Sequence, residues 1–288
     1  MKIGFIGLGN LGMPIAENLL QQYQQLYVYN RTASKAQPLV EKGATLYSSI
    51  KELAGNSDIV FSMVSDDAAL NDITEGQGGI AVNLKKGGIH ISMSTILPAT
   101  ATRLTALHIA NSNYYISAPV MGRPEAARAK KMNFLVAGDT AVVDIIKPFL
   151  LAAGAAGIWE FGDNTAHSSV AKLCSNFLII SAIESMAEGI NLAGKSGIDV
   201  HAWMNMLTQT LFASPIYINY GNILLKESFL PASFSLKLGL KDVKLVNEQA
   251  AATAAAMPFG KLLQQRLNDC VSNGLGEHDW TAIALALK

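Results

Sequence analysis

Short, almost wholly apolar segments alternate with amphipathic ones through the first half of the chain. The apolar segments are bounded by Gly, Asn, Asp or Ser and fall at residues 2–7, 26–30, 57–65 and 87–95. Because they lack the polar alternation of a strand with one solvated face, they predict buried strands. Helical spacing over 13–21 and from Pro98 onwards predicts helices between them. This order predicts a mostly parallel, doubly wound α/β sheet.

The pattern changes near residue 162. From Thr165 to Ala193 apolar residues recur three and four positions apart, which predicts one helix of about 40 Å at about 1.5 Å per residue. A helix of that length exceeds the diameter of a small domain, so we expect it to link two domains or to pack against another subunit. The sequence therefore predicts an α/β domain over 1–162 and an all-helical domain over 163–288 that begins with this long interdomain helix.

The composition excludes several classes of protein. Of the 288 residues, 50% are hydrophobic, which is enough for a large core without staples. Lys+Arg and Asp+Glu are both 22, so the chain lacks the basic surplus that binding to nucleic acid requires. Cys174, Cys270 and the scattered histidines have no metal-ligand or disulfide spacing. We expect a soluble, cytoplasmic protein without a metal site, a signal peptide or a membrane span.

The segment GLGNLG at residues 7–12 is a G-x-G-x-x-G motif that follows the first predicted strand and opens the first predicted helix. In this motif Gly7 permits the tight turn, Gly9 lets a pyrophosphate approach the backbone, and Gly12 allows close packing of helix and strand. The helix N-terminus offers N–H groups to the phosphates. A plain strand-to-helix turn is the alternative, but the spacing favours a Rossmann-type dinucleotide-binding domain. The predicted cofactor-binding residues here are Gly7, Leu8, Gly9, Asn10, Leu11 and Gly12.

The end of the second predicted strand indicates which dinucleotide is bound. An NAD site has an Asp or Glu there for the ribose hydroxyls, whereas this chain has Asn30, Arg31 and Thr32. No carboxylate repels a 2′-phosphate, Arg31 can pair with it, and Thr32 can donate to it. The three residues therefore predict NADPH, although Arg31 could instead be a solvated surface residue.

Two further segments carry polar side chains that suit catalysis. Lys172 and Asn176 lie four residues apart, so they share one face of the long predicted helix. A lysine partly withdrawn from water could give a proton to a carbonyl oxygen that receives hydride, whereas a surface lysine would only cover apolar neighbours. Ser94 and Thr95 lie at the carboxyl end of a predicted strand, at the edge where open α/β sheets bind ligands, and could also cap the helix that follows.

The whole chain resembles the β-hydroxyacid dehydrogenase family, which belongs to the 6-phosphogluconate dehydrogenase superfamily and includes 3-hydroxyisobutyrate dehydrogenases and glyoxylate/succinic semialdehyde reductases. The resemblance rests on seven segments spread over the sequence. They are GFIGLGNLGMPIAENLL, NRT, MVSDDAAL, MSTILPAT, APVMGRPEAA, AKLCSNFL and LGLKDVKLVNEQA.

The resemblance implies roles for several residues. Lys172 corresponds to the catalytic lysine of the family, and Asn176 corresponds to the asparagine that orients the substrate. Thr95 and Lys241 would contact the nicotinamide cofactor, and Met63 and Val64 would line its adenine–ribose side. It also implies a homodimer or tetramer assembled through the helical domain.

The loop APVMGRP departs from the family pattern D-A-P-V-S-G-G, whose serine and glycine amides hold a substrate carboxylate. Met121 replaces that serine, so a hydroxyl donor is lost, and Arg123 replaces the second glycine. We expect Ser94, Met121, Gly122 and Arg123 to face the substrate, with Arg123 binding the acid group; Arg123 pointing to solvent is the alternative. Ala166 and Ser168 also replace family glycines before Lys172.

These features predict an NADPH-dependent reductase of a small semialdehyde or keto acid that runs reversibly as a 3-hydroxyacid dehydrogenase. An NADPH-dependent imine reductase is the first alternative, because the loop APVMG-x-P is similar to that group, although the group typically lacks the lysine. A non-catalytic nucleotide-binding protein is the second. The presence of both Lys172 and Asn176 favours the reductase.

Overall fold

The computed structural model of the protein describes residues 1–287. Within this range the chain forms two compact units, the first being Met1–Lys172 and the second beginning at Leu173. The first unit is α/β and the second is helical, which confirms the predicted fold class. One long helix, Ala166–Lys195, contains the boundary between the two units.

The strands all belong to the first unit. They are β1 (Ile3–Ile6), β2 (Tyr27–Tyr29), β3 (Thr45–Leu46), β4 (Ile59–Ser62), β5 (Ile89–Ser92), β6 (Tyr114–Ser117), β7 (Val120–Met121), β8 (Met132–Val136) and β9 (Ala155–Glu160).

The helices run through both units. In the first unit they are α1 (Gly12–Tyr23), α2 (Gln37–Val40), α3 (Ile50–Gly55), α4 (Asp67–Thr74), α5 (Ile80–Asn83), α6 (Pro98–Ala110), α7 (Pro124–Arg128) and α8 (Thr140–Ala153). The boundary helix is α9 (Ala166–Lys195), and the second unit continues with α10 (Val200–Gln209), α11 (Pro215–Lys226), α12 (Leu236–Ala252) and α13 (Pro258–Cys270).

The main sheet has the strand order β3-β2-β1-β4-β5-β6, and every neighbouring pair is parallel. The strand order reverses direction between β1 and β4, which is where doubly wound sheets open a crevice for ligands at the carboxyl ends of the strands. Three of these strands end in one register row, where Ser62, Ser92 and Ser117 are neighbours. A second sheet, β7-β8-β9, pairs β7 antiparallel to β8 and β8 parallel to β9.

Side chains from both faces of the main sheet form the core of the first unit. Every residue of β1 is buried, as expected for a central parallel strand covered on both sides. The rings of Phe5 and Phe61 stack with centroids 6.3 Å apart, and Ile15 and Leu19 of α1 pack into the same cluster. This packing holds the carboxyl ends of β1 and β4 in a fixed position.

Several helices start where a polar side chain caps them. The residue before the helix accepts a hydrogen bond from the backbone N–H two or three residues later, which satisfies a donor that the helix itself cannot pair. These capping residues are Ser49, Asp66, Asp139 and Asp199.

Helix α9 supplies apolar residues to the core of the second unit. Ile180 and Ile183 are buried in a cluster that includes Trp280, and Glu184 on the same helix accepts a hydrogen bond from Arg266 Nε at 2.6 Å. By length and composition alone α9 could cross a membrane. A core helix passes the same test, and α9 contributes the buried Ile180 and Ile183 to the core of the second unit.

Candidate active site

The glycine loop 7–12 has a backbone that only glycine fits at two positions. Gly7 has φ +98°, and a Cβ atom there would lie 2.2 Å from the Met63 carbonyl oxygen. A Cβ at Gly12 would lie 2.0 Å from the carbonyl oxygen of Gly7. A Cβ at Gly9, in contrast, would meet no described atom within 4 Å. The loop is thus tight on the protein side and open at Gly9, which fits the close approach of a phosphate group.

Helix α1 starts inside this loop and presents its N-terminus there. No described side chain caps the helix, and its first turn contains no acidic residue. Gly9 and Asn10 are exposed, Leu11 is half-buried and Leu8 is buried. The partial positive charge of the helix N-terminus is therefore available to an anion such as a pyrophosphate.

Asn30 ties the glycine loop to the end of β2. The Leu8 N–H donates to Asn30 Oδ1 at 2.8 Å, and Asn30 Nδ2 donates to the Thr32 carbonyl oxygen at 2.9 Å. These two hydrogen bonds hold the glycine loop to the end of β2, and the binding of the cofactor by Asn30 stays a prediction. Arg31 and Thr32 are exposed directly after the strand, at the position where Rossmann-type domains bind the ribose of a dinucleotide.

The loops after β4 and β5 are joined by one hydrogen bond. The Val64 N–H donates to Ser94 Oγ at 2.9 Å, and Ser94 is buried. Met63, Val64 and Thr95 are half-buried at the same edge of the sheet as the glycine loop. The predicted cofactor residues of the first unit therefore share the carboxyl edge of the parallel sheet.

The loop after β6 leads to β7 and contacts the predicted catalytic lysine. Lys172 is 8% exposed, and its Nζ donates to Met121 Sδ at 3.4 Å. Met121 is opposite Asn133 in the antiparallel β7–β8 pair, so its backbone is part of a sheet. Gly122 follows with φ +153°, and the half-buried Arg123 precedes helix α7.

Hydroxyl groups of serine and threonine residues hold the start of α9 against the rest of the first unit. The Ser168 Oγ lies 3.2 Å from the carbonyl oxygens of both Ser117 and Thr165, and Thr165 Oγ1 lies 2.7 Å from Thr105 Oγ1. Ser168 is thus a hydrogen-bonded link between α9 and the end of β6. The link fixes the first turn of the helix that carries Lys172.

In the second unit, Asn176 and Lys241 meet at a carboxylate that the sequence interpretation did not assign to the site. Asn176 Nδ2 donates to Asp242 Oδ2, and Lys241 Nζ lies 2.8 Å from Asp242 Oδ1. Asp242 is 2% exposed. A buried carboxylate needs such partners. The sequence signal was present, because Asp242 lies three residues after Gly239 and four before Val246, on the buried stripe of α12.

A chain of four buried side chains lies beside β4, β5 and α6. Ser62 Oγ is 2.8 Å from His90 Nε2, His90 Nδ1 is 3.1 Å from His108 Nε2, and His108 Nδ1 is 2.6 Å from Asn113 Oδ1. The sequence interpretation treated these histidines as scattered. Their partners are distant in sequence, so spacing along the chain could not reveal the contacts.

Each hydrogen bond in this chain has one possible direction. The Asn113 amide nitrogen donates to the carbonyl oxygens of Ala81 and Leu84, so Asn113 Oδ1 must accept from His108. A neutral His108 then accepts at Nε2 from His90 Nδ1, and His90 Nε2 accepts from the serine hydroxyl. Burial lowers the pKa of His108 to about 4, and burial beside His108 holds the pKa of His90 well below its usual range. Both rings are therefore neutral at pH 7.

Within the described residues, no group of three or more His, Cys, Asp or Glu side chains could hold a metal ion. His167 has a local role, since its ring nitrogens lie 3.1 Å from the Phe161 carbonyl oxygen and 3.3 Å from Asn164 Nδ2. The glycine loop suits binding of a nucleotide, and Lys172 suits transfer of a proton.

Two family models together cover nearly the whole chain. One, described as the NAD binding domain of 6-phosphogluconate dehydrogenase, matches residues 2–169. The other, described as NAD-binding of NADP-dependent 3-hydroxyisobutyrate dehydrogenase, matches residues 166–287.

Several known proteins match over nearly their full length. The uncharacterized oxidoreductase YfjR of Bacillus subtilis (strain 168) is 36% identical over 100% of both chains. The 2-hydroxy-3-oxopropionate reductase of Escherichia coli (strain K12) is 30% identical over 100% of this chain and 97% of its own. The solved structure of Psf3 in complex with NADP+ and 2-OPP has a TM-score of 0.89 and 25% identity, and covers 99% of this chain and 100% of that one. Because its two family models and its full-length relatives agree, the chain belongs to the β-hydroxyacid dehydrogenase family of nicotinamide-dependent oxidoreductases.

Proposed function

We propose that the protein is an NADPH-dependent reductase of a small semialdehyde or keto acid, and that it runs reversibly as a 3-hydroxyacid dehydrogenase. The observation that carries this proposal is the buried Lys172, whose ammonium group lies against the loop after β6. That loop leaves the same edge of the sheet as the glycine loop. A proton donor and a nucleotide-binding turn at one edge suit reduction of a carbonyl group.

A nicotinamide cofactor held by the glycine loop would supply the hydride for the substrate carbonyl carbon. Lys172 gives a proton to the carbonyl oxygen as its charge grows, and in the reverse direction it accepts the alcohol proton. Asn176, one turn later on α9, orients the substrate and is itself oriented by Asp242. Ser94, Gly122 and Arg123 hold the acid group of the substrate, with the Arg123 guanidinium as its counter-charge.

The preference for NADPH rests on the residues after β2. Asn30 brings no negative charge to this position, and the exposed Arg31 and Thr32 can bind a 2′-phosphate. The relative Psf3 was solved with NADP+, which supports the same choice. We expect NADPH to be used with a much lower KM than NADH, and Arg31→Ala to raise only the KM for NADPH. Equal KM values for both cofactors that Arg31→Ala leaves unchanged would contradict the preference.

The lysine role is tested by steady-state oxidation of NADPH with glyoxylate, succinic semialdehyde, methylmalonate semialdehyde and tartronate semialdehyde. Lys172→Ala should lower kcat by about a hundredfold or more, because general acid catalysis contributes at least that factor. The affinity for NADPH, measured by quenching of protein fluorescence, should stay close to the wild-type value. The exposed Lys244 provides the control, and Lys244→Ala should leave both quantities unchanged.

Near-normal turnover by Lys172→Ala would refute the mechanism. A cyclic imine belongs in the same panel of substrates. Turnover of the imine without turnover of any semialdehyde would replace the proposed function with imine reduction.

A further inference from the structure

The thioether of Met121 accepts a hydrogen bond from the Lys172 ammonium group, with Sδ at 3.4 Å from Nζ. Lys172 is almost fully buried, and Met121 is half-buried. The sulfur and its terminal methyl group therefore lie beside the atom that delivers the proton in the proposed function. A substrate whose carbonyl oxygen receives this proton therefore brings the carbon next to its carbonyl group close to the same thioether.

The position of Met121 is set by regular structure. Its strand β7 pairs antiparallel with β8, where Val120 is opposite Phe134 and Met121 is opposite Asn133. Gly122 then adopts φ +153°, and a Cβ there would lie 3.1 Å from Met132 Cγ. The backbone on both sides of the methionine is thus defined by pairing and close packing, so the side chain starts from a fixed point.

A thioether makes a poor partner for a polar substituent. It carries no hydrogen-bond donor and is only a weak acceptor. A substrate hydroxyl placed against it would lose its hydrogen bonds to water without replacement, whereas a methyl group would gain a dispersion contact with the sulfur and its methyl. The side chain at position 121 therefore distinguishes substrates by the group on the carbon next to the carbonyl.

We propose that Met121 is a specificity-determining residue that makes the enzyme select carbonyl substrates with an apolar substituent next to the reacting carbon, and disfavour those with a hydroxyl there. The inference rests on the proposed function, because it assumes that Lys172 protonates the carbonyl oxygen. It adds the substrate class, which the proposed function leaves open.

Methylmalonate semialdehyde and tartronate semialdehyde form a matched pair for the test, since they differ only by a methyl or a hydroxyl group on the central carbon. With saturating NADPH, wild-type kcat/KM should favour the methyl compound by about tenfold to a hundredfold. In Met121→Ser the ratio should fall to about one or below, because the new hydroxyl can pair with the substrate hydroxyl. Met121→Leu keeps an apolar side chain and should keep the wild-type preference.

Equal kcat/KM for the two aldehydes in the wild type would overturn the inference and leave the proposed reductase intact. An unchanged preference in Met121→Ser would also overturn it. Turnover of neither aldehyde would overturn the inference as well. Turnover of none of the four carbonyl acids, or full activity of Lys172→Ala, would instead refute the proposed function and the inference with it.

A measurement on the wild type alone keeps the inference testable if Met121→Ser fails to fold. The two product alcohols, 3-hydroxyisobutyrate and glycerate, carry the same methyl and hydroxyl groups. As a product inhibitor, 3-hydroxyisobutyrate should have a lower Ki than glycerate, because its methyl group makes the favourable contact with the thioether. A lower Ki for glycerate would contradict the selection by Met121.

Discussion

At the scale of single residues, Asp242 shows how a buried charge organises its neighbours. One carboxylate oxygen accepts from Asn176, and the other lies beside the Lys241 ammonium group. Both contacts compensate for the removal of the carboxylate from water. The carboxamide of Asn176 can consequently face only one way, since its nitrogen is committed to the carboxylate. The carboxamide oxygen of Asn176 therefore points away from Asp242.

Asp242→Ala should therefore damage both stability and turnover. We expect the free energy of unfolding to fall by about 1–3 kcal/mol, because the Asn176 amide and Lys241 lose a buried partner. Turnover should fall as well, since Asn176 is no longer oriented. Asp242→Asn keeps one acceptor oxygen and should lose less of each. Urea unfolding and steady-state kinetics measure the two effects, with the exposed Asp269→Ala as the control. Equal behaviour of Asp242→Ala and Asp269→Ala would contradict the assigned role.

The residues of the site differ in how visible they were in the sequence. The spacing of Gly7, Gly9 and Gly12 predicts a turn, because it is local and each glycine has a steric role in the motif. Lys172 was predicted from its place on a long helix and from the family pattern. Asp242 was not assigned a role, because its partner Asn176 lies 66 residues away and only the fold brings the two together.

At the scale of elements, the turn from β1 to α1 contains glycines with two different roles, one in folding and one in ligand binding. At Gly12 an added Cβ would meet the Gly7 carbonyl oxygen at 2.0 Å, so this glycine is needed for folding. At Gly9 an added Cβ would meet no described atom within 4 Å, so folding places no such demand there. We expect this space to serve the close approach of a bound phosphate group.

The two glycines therefore predict different defects. Gly12→Ala should lower the free energy of unfolding by about 2 kcal/mol or more, because the added Cβ would clash with the Gly7 carbonyl oxygen and displace the helix or the turn. Gly9→Ala should leave the melting temperature close to that of the wild type and weaken NADPH binding. Differential scanning fluorimetry and fluorescence titration with NADPH measure the two. Wild-type affinity in Gly9→Ala would show that the phosphates do not approach the loop there.

The histidine chain joins β4, β5 and α6 and makes this region sensitive to acid. The pKa of His108 is about 4 in the folded protein against 6.5 normally. Between these values the unfolded chain binds protons that the folded chain excludes, so the free energy of unfolding falls as the pH falls. For His108 alone the loss by pH 4 amounts to about 3 kcal/mol.

This pH dependence can be assigned by substitution. His108→Gln removes one titrating ring and retains a donor and an acceptor, so its stability should decline less steeply from pH 7 to pH 4 than that of the wild type. Urea midpoints over this range provide the measurement. The exposed His201→Gln should keep the wild-type slope. Identical slopes in His108→Gln and the wild type would contradict a role for the buried ring.

Elements with a local pattern were predicted well. The long helix was expected over 165–193 and occupies Ala166–Lys195, and the parallel strands β1, β2, β4 and β5 lie inside the predicted segments. The second sheet was not anticipated. Its strand β7 has only two residues, and its pairing with β8 depends on a turn and a short helix between them. Such pairing leaves no periodic signal in the sequence.

At the scale of the whole molecule, the formal net charge is zero, so no long-range repulsion between copies opposes association. Helix α9 has two exposed leucines, Leu178 at 65% and Leu192 at 69%. They lie fourteen residues apart, which places them on the same side of the helix. Exposed apolar side chains on one side of a helix can mark a surface that packs against another chain.

We therefore predict that the protein is a homo-oligomer and that this side of α9 contributes to its interface. The double variant Leu178→Glu and Leu192→Glu should have a lower mass in solution than the wild type, because charge would be buried at the contact. Light scattering coupled to size-exclusion chromatography gives the masses. Ile109 on α6 is exposed to a similar degree, 67%, and Ile109→Glu serves as the control. A monomeric wild type would contradict the prediction.

The fixed direction of the histidine chain also gives the enzyme a natural spectroscopic reporter. Because each ring is held in one tautomer away from water, its N–H proton should exchange slowly and give a resolved imidazole signal in a proton NMR spectrum. Ser62 is the first side chain of this hydrogen-bonded series, and the next residue in the sequence is Met63 of the predicted cofactor site. Arrival of the nucleotide should therefore shift the His90 signal, and binding could be followed in the unlabelled protein.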